Sequence, residues 1–301
     1  MKNVILSDRL NAVAGLVKSS DCVCDIGTDH GFVPIYLINS GVCKRAIAMD
    51  INKGPLDRAR DHIKENGLAD LIETRLSNGM EKLSEGETDA VVIAGMGGLL
   101  MKRILEDGQP RKKGIKQMVL QPQSDLRLFR EYLRRERFFI TKEAEVFEDG
   151  KYYVAISVNV SDDGENVSYK SATEELIRSC NADLLLKNNQ GDSSDNSELS
   201  LRNDRGDSGY NNDFSQKESV RGKITGDNIS LEEIATRICD RFGPCLLLKR
   251  DETLRRYLEH EKSICEGILL KLSENEHTER INDIINKIND ITIALSLYVI
   301  H

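Results

Sequence analysis

The feature that most constrains this chain is a regular alternation of two hydrophobic patterns over its first half. Short apolar runs typical of strands occupy residues 22–26, 45–49, 71–76, 89–94 and 117–121. Amphipathic segments typical of helices occupy residues 32–39, 55–66, 99–106 and 125–137. Such strand–helix–strand repeats are long enough to cross over, so they predict an α/β fold with a doubly wound, Rossmann-like parallel sheet.

The segment after residue 137 carries two apolar, β-branched stretches that lie close together. The stretches are FFITKEAEVFE and YYVAISVNV, and they are joined through Asp149-Gly150. Asp-Gly between two strand patterns is a strong hairpin signal, because both residues tolerate a positive φ. We therefore predict an antiparallel hairpin that closes the edge of the sheet.

The composition changes abruptly beyond the hairpin. Residues 188–222 contain 22 Asn, Ser, Asp or Gly residues among 35. Because such a stretch cannot bury enough apolar surface to order itself, we expect residues 185–228 to form a disordered insert or tether.

The last part of the chain returns to a helical pattern. Ser230 and Glu233 form a capping-box signature, and an amphipathic pattern continues beyond an interruption at residues 242–244. These signals predict a C-terminal α-helical coiled-coil domain. The expected organisation is a first domain over residues 1–160, a linker with the insert over 161–229, and the helical domain over 230–301.

The charge of the 301-residue chain is unevenly distributed. Its net charge of -8 argues against a general polyanion binder, but residues 99–137 contain eleven Lys or Arg against five Asp or Glu. We predict a phosphate-facing patch there that includes Arg127, Arg130 and Arg134. The alternative is an ordinary solvated helix face, because acidic residues in the same segment sit at spacings that suit local salt bridges.

The cysteines and the first residues limit the remaining classes of protein. The seven cysteines are odd in number and lie in or beside apolar stretches, so we expect buried thiols and no metal site. The first 17 residues have charges within the apolar run and no small-residue cleavage site after it. This pattern predicts neither a signal peptide nor a membrane span, and the expected location is the cytoplasm.

The sequence DIGTDHG at residues 25–31 follows the first predicted strand and precedes a helix. In a doubly wound sheet this position is the crevice where ligands bind, and Gly27 permits a tight turn there. The glycine spacing differs from the G-x-G-x-x-G of a pyrophosphate cradle. Asp25 and Asp29 repel phosphates but attract the cationic sulfonium and amino groups of S-adenosylmethionine. The charge therefore favours a methyl donor over NAD.

Polar or small residues stand at the ends of the next four predicted strands. Asp50 ends the second strand, where an acidic side chain accepts hydrogen bonds from ribose hydroxyls. Asn78 and Gly79 follow the third strand, where an amide can read an adenine edge. The fourth strand runs into AGMGG at residues 94–98 and the fifth into QPQ at residues 121–123. The small residues after the fourth strand let a flat base lie close to the backbone.

Each of these features also has an ordinary structural interpretation. Loop glycines are usually turns, Asp50 can cap a helix, and His30 is more often a structural hydrogen-bonding residue than a catalyst. Their agreement indicates a ligand site, because compatible residues follow five strands at one edge of the predicted sheet.

Six segments make the pattern specific: DIGTDHGFVPIYL, AMDINKGPLDRA, RLSNGME, VVIAGMGG, LQPQ and EDGKYY. With them the chain resembles the bacterial tRNA (adenine(22)-N1)-methyltransferase family, well over about residues 6–158 and more loosely over the C-terminal helices. Two features depart from the family, namely the long insert and Gln123, where an asparagine is common.

The resemblance implies a class I methyltransferase fold with a helical coiled-coil appendage. It also implies that the chain uses S-adenosylmethionine to methylate N1 of adenine 22 in tRNA. We further expect a monomer that binds no metal. The predicted cofactor-binding residues are Asp25, Gly27, Thr28, Asp29, His30, Gly31, Asp50, Ile51, Asn78, Gly79, Ala94, Gly95 and Met96. The predicted substrate-binding residues are Gly97, Gly98, Gln121, Pro122, Arg127, Arg130 and Arg134.

Methyl transfer is an in-line displacement, so alignment of the two reactants does most of the work. A general base is not obligatory, because adenine N1 already has an in-plane lone pair. A nearby carboxylate stabilises the positive charge that develops on the adenine, and Asp29 is the catalytic candidate for that role. The alternative for Asp29 is cofactor contact without catalysis.

Other functions stay open at this point. A DNA or protein methyltransferase is the nearest alternative, although the Asn-Pro-Pro-Tyr motif of amino-group enzymes is absent after the fourth strand. A different class is an RNA-binding scaffold or an adaptor that works through the helical domain. The acidic residues at positions 25, 29 and 50 argue against a disabled cofactor site, and phosphate repulsion disfavours a NAD-linked enzyme.

Overall fold

A single mixed sheet organises the first half of the molecule. The computed structural model describes residues 4–160, 165–189, 230–271 and 278–299. The strands are β1 (Ser20–Ile26), β2 (Cys43–Asp50), β3 (Ile72–Leu76), β4 (Ala90–Met96), β5 (Gln117–Pro122), β6 (Phe139–Glu148) and β7 (Lys151–Asn159). Their order is β3-β2-β1-β4-β5-β7-β6, in which β1 to β5 are parallel. The doubly wound, Rossmann-like prediction is confirmed.

The strand order fixes where a ligand can bind. The chain moves outward from β1 to β3 and then returns to the other side of β1 with β4. This reversal is the topological switch point, and ligands of such sheets bind outside the carboxyl ends of the strands there. The loops after β1, β2 and β4 therefore meet at one place, which we call the carboxyl edge.

The hairpin prediction is also confirmed. β6 and β7 are antiparallel and joined through Asp149 and Gly150, whose φ angles are 49° and 76°. Positive φ at both central residues is the geometry that Asp-Gly favours in a two-residue turn. β7 pairs antiparallel with β5, so the hairpin closes that side of the sheet.

Helices cover both faces of the sheet. The first-half helices are α1 (Asp8–Leu16), α2 (Phe32–Asn39), α3 (Lys53–Glu65), α4 (Gly98–Gly108) and α5 (Leu126–Arg135). Four of them match the predicted segments within a few residues, whereas α1 was not predicted from the sequence. The signal for α1 is Ser7, whose hydroxyl accepts from the Leu10 amide at 3.4 Å as an N-cap.

The C-terminal helices pack on the outer side of α5 and β6. They are α6 (Val167–Asn189), α7 (Leu231–Phe242), α8 (Pro244–Lys249), α9 (Glu252–Leu269) and α10 (Thr278–Ser296). The capping box of Ser230 and Glu233 is present at the start of α7. α9 and α10 pack against each other, and whether they form a coiled coil stays a prediction.

The predicted linker over residues 161–229 needs a correction. Its first part contains α6, which packs against α7 and α8 and so belongs with the helices that follow it. Tyr169, Ala172, Thr173 and Leu176 are buried at helical spacing. The predicted insert began at residue 185, but α6 continues to Asn189, and residues 190–229 lie outside the described part of the chain.

None of the seven cysteines forms a disulfide, and all except Cys180 are buried. Among residues 4–160, 165–189, 230–271 and 278–299, no group of three or more metal-ligating side chains comes together. No helix in the same ranges is long and apolar enough to cross a membrane.

Candidate functional site

The loop after β1 is tied to the neighbouring strand. The amides of Gly27 and Thr28 donate to the Met49 carbonyl at 2.8 and 2.9 Å, which fixes the loop against the end of β2. Gly27 has a φ of 77°, and a Cβ placed there would overlap Met96 Cε. A side chain at Gly27 would be strained by the backbone and would displace Met96. The loop after β1 and the end of β4 therefore approach closely at the switch point.

Asp25 is a buried carboxyl group at the end of β1. Burial raises its pKa to about 6, the nearby Thr28 side chain opposes the shift, and the charge of Asp50 raises the pKa further. Asp25 forms no ion pair with another described residue, so a cation placed beside it gains from a poorly solvated carboxylate. The geometry suits a positively charged ligand.

The end of β2 supplies a second acidic side chain and an exposed apolar one. Asp50 is half-buried, and its Oδ1 accepts from the Asn52 amide at 2.6 Å, which fixes the turn into α3. Ile51 is exposed directly beside it. The Ser77 amide donates to the Asp50 carbonyl at 2.9 Å, so the loop after β3 is held at the same edge.

Asn78 and Gly79 lie in that loop after β3. Asn78 is exposed, and its Nδ2 donates to Glu81 Oε1 at 2.7 Å. Gly79 has a φ of 53° and packs against Ile104 of α4. The structure thus brings the predicted nucleoside-contacting residues of β2 and β3 together at the carboxyl edge.

Asp29 is exposed and already carries a cationic partner. Arg58 of α3 donates from Nη2 to Asp29 Oδ1 at 2.7 Å, and His30 Nε2 lies 3.5 Å from the same oxygen. Arg58 was not predicted from the sequence, because an arginine on an exposed helix face gives no signal of a partner in a distant loop. Asp29 is therefore held in place and partly neutralised.

His30 and Gly31 complete the loop before α2. The His30 ring stacks on Phe32 and His62 with centroids 5.2 and 5.3 Å apart. His30 Nδ1 is buried and has no hydrogen-bond partner among the described residues. Gly31 has a φ of 69°, and a Cβ there would lie 3.3 Å from Ala59 Cβ, so α2 and α3 approach closely at this point.

The end of β4 is irregular and is supported by β5. The register shifts between Ala94 and Met96, and Gly95 has a φ of 79°. The Gly95 amide donates to Gln121 Oε1 at 3.0 Å, a side chain from the next strand. A bulge in this place re-aims the backbone toward the edge of the sheet. Gly95 is exposed there.

The prediction that Gln121 and Pro122 border the target base needs a correction. Both residues are buried, Gln121 fully, because β5 is an interior strand between β4 and β7. Gln121 instead holds the Gly95 amide from within the sheet. Its Nε2 is buried without a hydrogen-bond partner among the described residues.

Gly97 and Gly98 form the turn from β4 into α4. The Gly98 amide donates to the Ser124 carbonyl at 3.2 Å, and a Cβ on Gly98 would lie 2.7 Å from that oxygen. Gly98 is buried, so its role is close packing of two loops, whereas Gly97 is partly exposed. Of the two predicted base-contacting glycines, the structure presents Gly97 to solvent.

The predicted phosphate patch on α5 is corrected most strongly. Arg130 is 1% exposed, and its Nε donates to Glu143 at 2.8 Å. Arg134 donates from Nη2 to Asp240 of α7 at 2.7 Å. The two arginines are four residues apart and so share one helix face, which the C-terminal helices cover. Arg127 is 44% exposed, and its Nη1 lies 3.6 Å from Glu131.

The residues at the carboxyl edge fit S-adenosylmethionine. A buried carboxyl at Asp25 and a half-buried one at Asp50 lie at the ends of adjacent strands, beside the turn at Gly27. The acidic side chains match a sulfonium and an amino group and repel a pyrophosphate. Gly95 and Gly97 leave backbone exposed on the other side of the switch point, where a flat base can approach.

Comparisons with known proteins agree with this geometry. A family model described as a methyltransferase domain matches residues 6–156. The tRNA (adenine(22)-N(1))-methyltransferase of Bacillus subtilis (strain 168) is 36% identical over 162 residues, which cover 54% of this chain and 68% of the relative. A putative tRNA methyltransferase of Mycoplasma pneumoniae is 30% identical over 155 residues, covering 50% of this chain and 70% of that protein.

Solved structures share the fold over almost the whole chain. A putative tRNA (m1A22) methyltransferase of Streptococcus pneumoniae superposes with a TM-score of 0.68 at 24% identity, covering 97% of this chain and 100% of that one. M. capricolum TrmK, in complex with S-adenosyl-homocysteine, superposes with a TM-score of 0.64 at 25% identity, covering 97% and 98%.

Proposed function

This chain belongs to the tRNA (adenine(22)-N1)-methyltransferase family, and on that premise we propose that it methylates N1 of adenine 22 in tRNA with S-adenosylmethionine. The observation that carries the proposal is the pair of carboxyl side chains, Asp25 and Asp50, at adjacent strand ends beside Gly27. The 36% identity to the Bacillus subtilis enzyme supports the substrate. We further propose that the protein acts as a monomer in the cytoplasm.

The acidic residues hold the cofactor in this proposal. Asp25 attracts the cationic methionine portion, Asp50 accepts hydrogen bonds from the ribose, and Asn78 borders the adenine ring. When bound, S-adenosylmethionine supplies a methyl group on a positively charged sulfur, which leaves as a neutral thioether. Gly27 allows the tight turn of this loop, and its missing Cβ leaves the space that the Met96 side chain occupies at the same edge.

The target adenine is positioned against the end of β4. Its N1 carries an in-plane lone pair, so the protein has to orient the ring and exclude water more than to remove a proton. Adenine must first leave its stacking or pairing, because its Watson–Crick edge is otherwise occupied. Gly95 and Gly97 leave room for the flat ring, and Gln121 holds the Gly95 backbone behind it.

Asp29 stabilises the positive charge that develops on the methylated ring. Its carboxylate is exposed at the edge, and Arg58 keeps it in one orientation through a 2.7 Å hydrogen bond. Asp29→Asn should lower kcat while the S-adenosylmethionine Kd stays within about threefold, since one partly exposed charge is removed without loss of volume. An equal loss in kcat and in cofactor affinity would make Asp29 a binding residue only.

The revised RNA-binding surface starts at the first turn of α5. Arg127 follows the loop after β5 directly, and Lys102 lies one turn into α4, so both cations flank the carboxyl edge. Both are at least partly exposed, with 44% and 43% of their side chains accessible. Exposed cations beside the carboxyl edge can hold the phosphates that flank the target base.

The experiment that tests the proposed function is methyl transfer to unmodified bulk tRNA. The purified protein is incubated with S-adenosylmethionine labelled in the methyl group, and the RNA is digested to nucleosides for identification. We expect label in 1-methyladenosine. Label in another nucleoside, or no label from protein that still binds the cofactor in a titration, would contradict the proposed reaction.

A further inference from the structure

The N-terminal helix α1 lies along β5, and its first turn lies at the carboxyl edge. At its end, Gln117 Nε2 donates to the Leu16 carbonyl at 2.8 Å and the Lys18 amide donates to Gln117 Oε1 at 2.9 Å. Gln117 is the first residue of β5. At the start of α1, Arg9 contacts Gln121, near the other end of β5. The helix thus runs antiparallel to β5 and delivers Arg9 to the ligand-binding side.

Arg9 is held there by several groups. Its Nη1 donates to Gln121 Oε1 at 3.3 Å, and its guanidinium lies over the Tyr153 ring at 5.4 Å. Its Nε lies 3.8 Å from Glu148 Oε2, and its backbone amide donates to Glu148 Oε1 at 3.4 Å. Three quarters of the side chain is covered, since only 25% is exposed. An arginine fixed in this manner is unlike a solvated surface cation.

Gln121 connects Arg9 to the irregular end of β4. Its Oε1 accepts from both Arg9 Nη1 and the Gly95 amide. Two donors on one oxygen fix the orientation of the carboxamide. Gly95 sits at the register shift, so the ordinary strand pairing does not hold it in place. Arg9, Gln121 and Gly95 therefore form one polar chain that ends at the exposed backbone of the edge.

We propose that Arg9 is a positioning residue for methyl transfer, which acts through Gln121 to fix the Gly95 turn against which the target adenine is oriented. The proposal rests on the proposed function of the same site. Glu148 neutralises much of the guanidinium charge, so Arg9 adds little repulsion toward the positively charged methylated product. No part of the cofactor site described above includes Arg9, so its loss acts on the acceptor side.

The first test compares Arg9→Gln, Arg9→Lys and the control Lys18→Gln. Lys18 follows the other end of α1, so its substitution removes the same unit of charge far from the edge. For Arg9→Gln we expect kcat to fall about 10- to 100-fold, because a small misplacement of the acceptor has effects of this size. The KM for tRNA, the S-adenosylmethionine Kd and the Tm should change little, and Lys18→Gln should match wild type.

Arg9→Lys keeps the charge but not the planar fork, so we expect it to recover only part of kcat. A loss that appears in KM and in the salt dependence, with kcat unchanged, would overturn the proposal and make Arg9 a phosphate contact. A fall in Tm that accounts for the lost activity would overturn it as well.

The second test is a double-mutant cycle with Gln121→Leu, which keeps the approximate size of the buried side chain. Because Arg9 acts through Gln121, Arg9→Gln should have little further effect on kcat in that background. Equal effects in both backgrounds would overturn the proposed pathway. Wild-type protein that forms no 1-methyladenosine overturns the proposed function, whereas an active wild type with a fully active Arg9→Gln variant overturns this inference alone.

Discussion

The carboxyl edge and the junction between α5 and the C-terminal helices differ in whether their buried carboxyl group has a cationic partner. At the edge, Asp25 is buried beside the like charge of Asp50 and pairs with no cation among the described residues. At the junction, Glu143 is equally buried but accepts from Arg130 Nε at 2.8 Å and from the Cys245 amide at 2.9 Å. A buried carboxyl group without a cation indicates a ligand site, whereas a paired one indicates a structural contact.

The junction owes its geometry to residues far apart in sequence. Arg130 Nη1 donates to the Arg241 carbonyl at 3.0 Å, so one side chain joins α5, β6 and the end of α7. Gly243 allows this approach, because a Cβ there would lie 2.6 Å from Glu143 Oε2. Two arginines of the basic segment, Arg130 and Arg134, are thus used to attach the second half.

Breaking the junction should have the largest effect of the changes considered. Arg130→Met leaves Glu143 buried without its cation, and we expect the free energy of unfolding to fall by about 3–5 kcal/mol. Denaturant unfolding monitored by circular dichroism measures this loss. The double variant Arg130→Met with Glu143→Leu should recover much of it, because no charge is then left unpaired. A single variant as stable as wild type would remove the distinction between the two regions.

Removing the charge at the edge should affect binding and leave stability intact. For Asp25→Asn we expect the S-adenosylmethionine affinity at pH 7.5 to fall about 10- to 100-fold, the effect of losing a contact with a charged group. Isothermal titration calorimetry measures it. Unchanged affinity, with a large loss of stability, would place Asp25 in the same class as Glu143.

The raised pKa of Asp25 gives a second test of its role, through the pH dependence of the cofactor affinity. In the free protein this pKa is raised to about 6, and a cationic ligand binds the ionised form. Wild-type affinity should therefore be constant above about pH 7 and fall up to about tenfold for each pH unit well below 6. The Asp25→Asn variant should lack that component of the pH dependence. Parallel pH profiles for the two proteins would contradict the assignment.

Glu145 is an exception to this comparison. It lies near the junction, but its buried carboxyl group is not fully paired. Burial raises its pKa from 4.5 to about 8, Arg130 opposes the shift, and its Oε2 has no hydrogen-bond partner among the described residues. A raised carboxyl pKa makes the folded state lose stability as pH rises from about 4.5 through 8. Glu145→Gln should remove that decline and be more stable than wild type at pH 9, by about 1 kcal/mol or more.

Unfolding of both proteins at pH 6 and pH 9 checks this prediction. The difference between Glu145→Gln and wild type should be larger at pH 9 than at pH 6. A difference that does not depend on pH would show that Glu145 is ionised throughout or lies in a more polar environment.

The smallest expected effect concerns the exposed end of α5. Arg127→Gln should weaken tRNA binding modestly and reduce the slope of log affinity against log salt by about 1, the value for one phosphate contact. Filter binding across a salt series measures it. Arg135→Gln is the matched control, because Arg135 is exposed at the other end of the same helix. An identical slope for wild type and Arg127→Gln would exclude the phosphate contact.

The pattern of hydrophobic residues was sufficient for the sheet and most of its helices. Strand and helix periods are local properties, so β1 to β5 and the Asp149-Gly150 hairpin could be predicted from them. The partner of a charged residue is not local, which is why Arg130 and Arg134 were assigned to phosphate. Helix α6 was missed because its buried face includes Ala172 and Thr173, which give weak hydrophobic contrast.

In the candidate site, too, only the residues with a local signal in the sequence could be predicted. Asp25, Gly27 and Asp50 could be predicted because they directly follow or end predicted strands in a fold whose ligand position is known. Arg9 and Arg58 come from helices that reach the edge only through tertiary packing. Their roles appear in the contacts with Gln121 and Asp29 and have no signature in the sequence.

The most direct test of the central claim uses two tRNA transcripts that differ only at nucleotide 22. One carries adenine there and the other carries guanine, and both are incubated with the protein and methyl-labelled S-adenosylmethionine. We predict 1-methyladenosine in the first transcript and none in the second. Equal incorporation into both would contradict methylation at adenine 22, and no incorporation into either would contradict the assignment of the carboxyl edge as a tRNA methylation site.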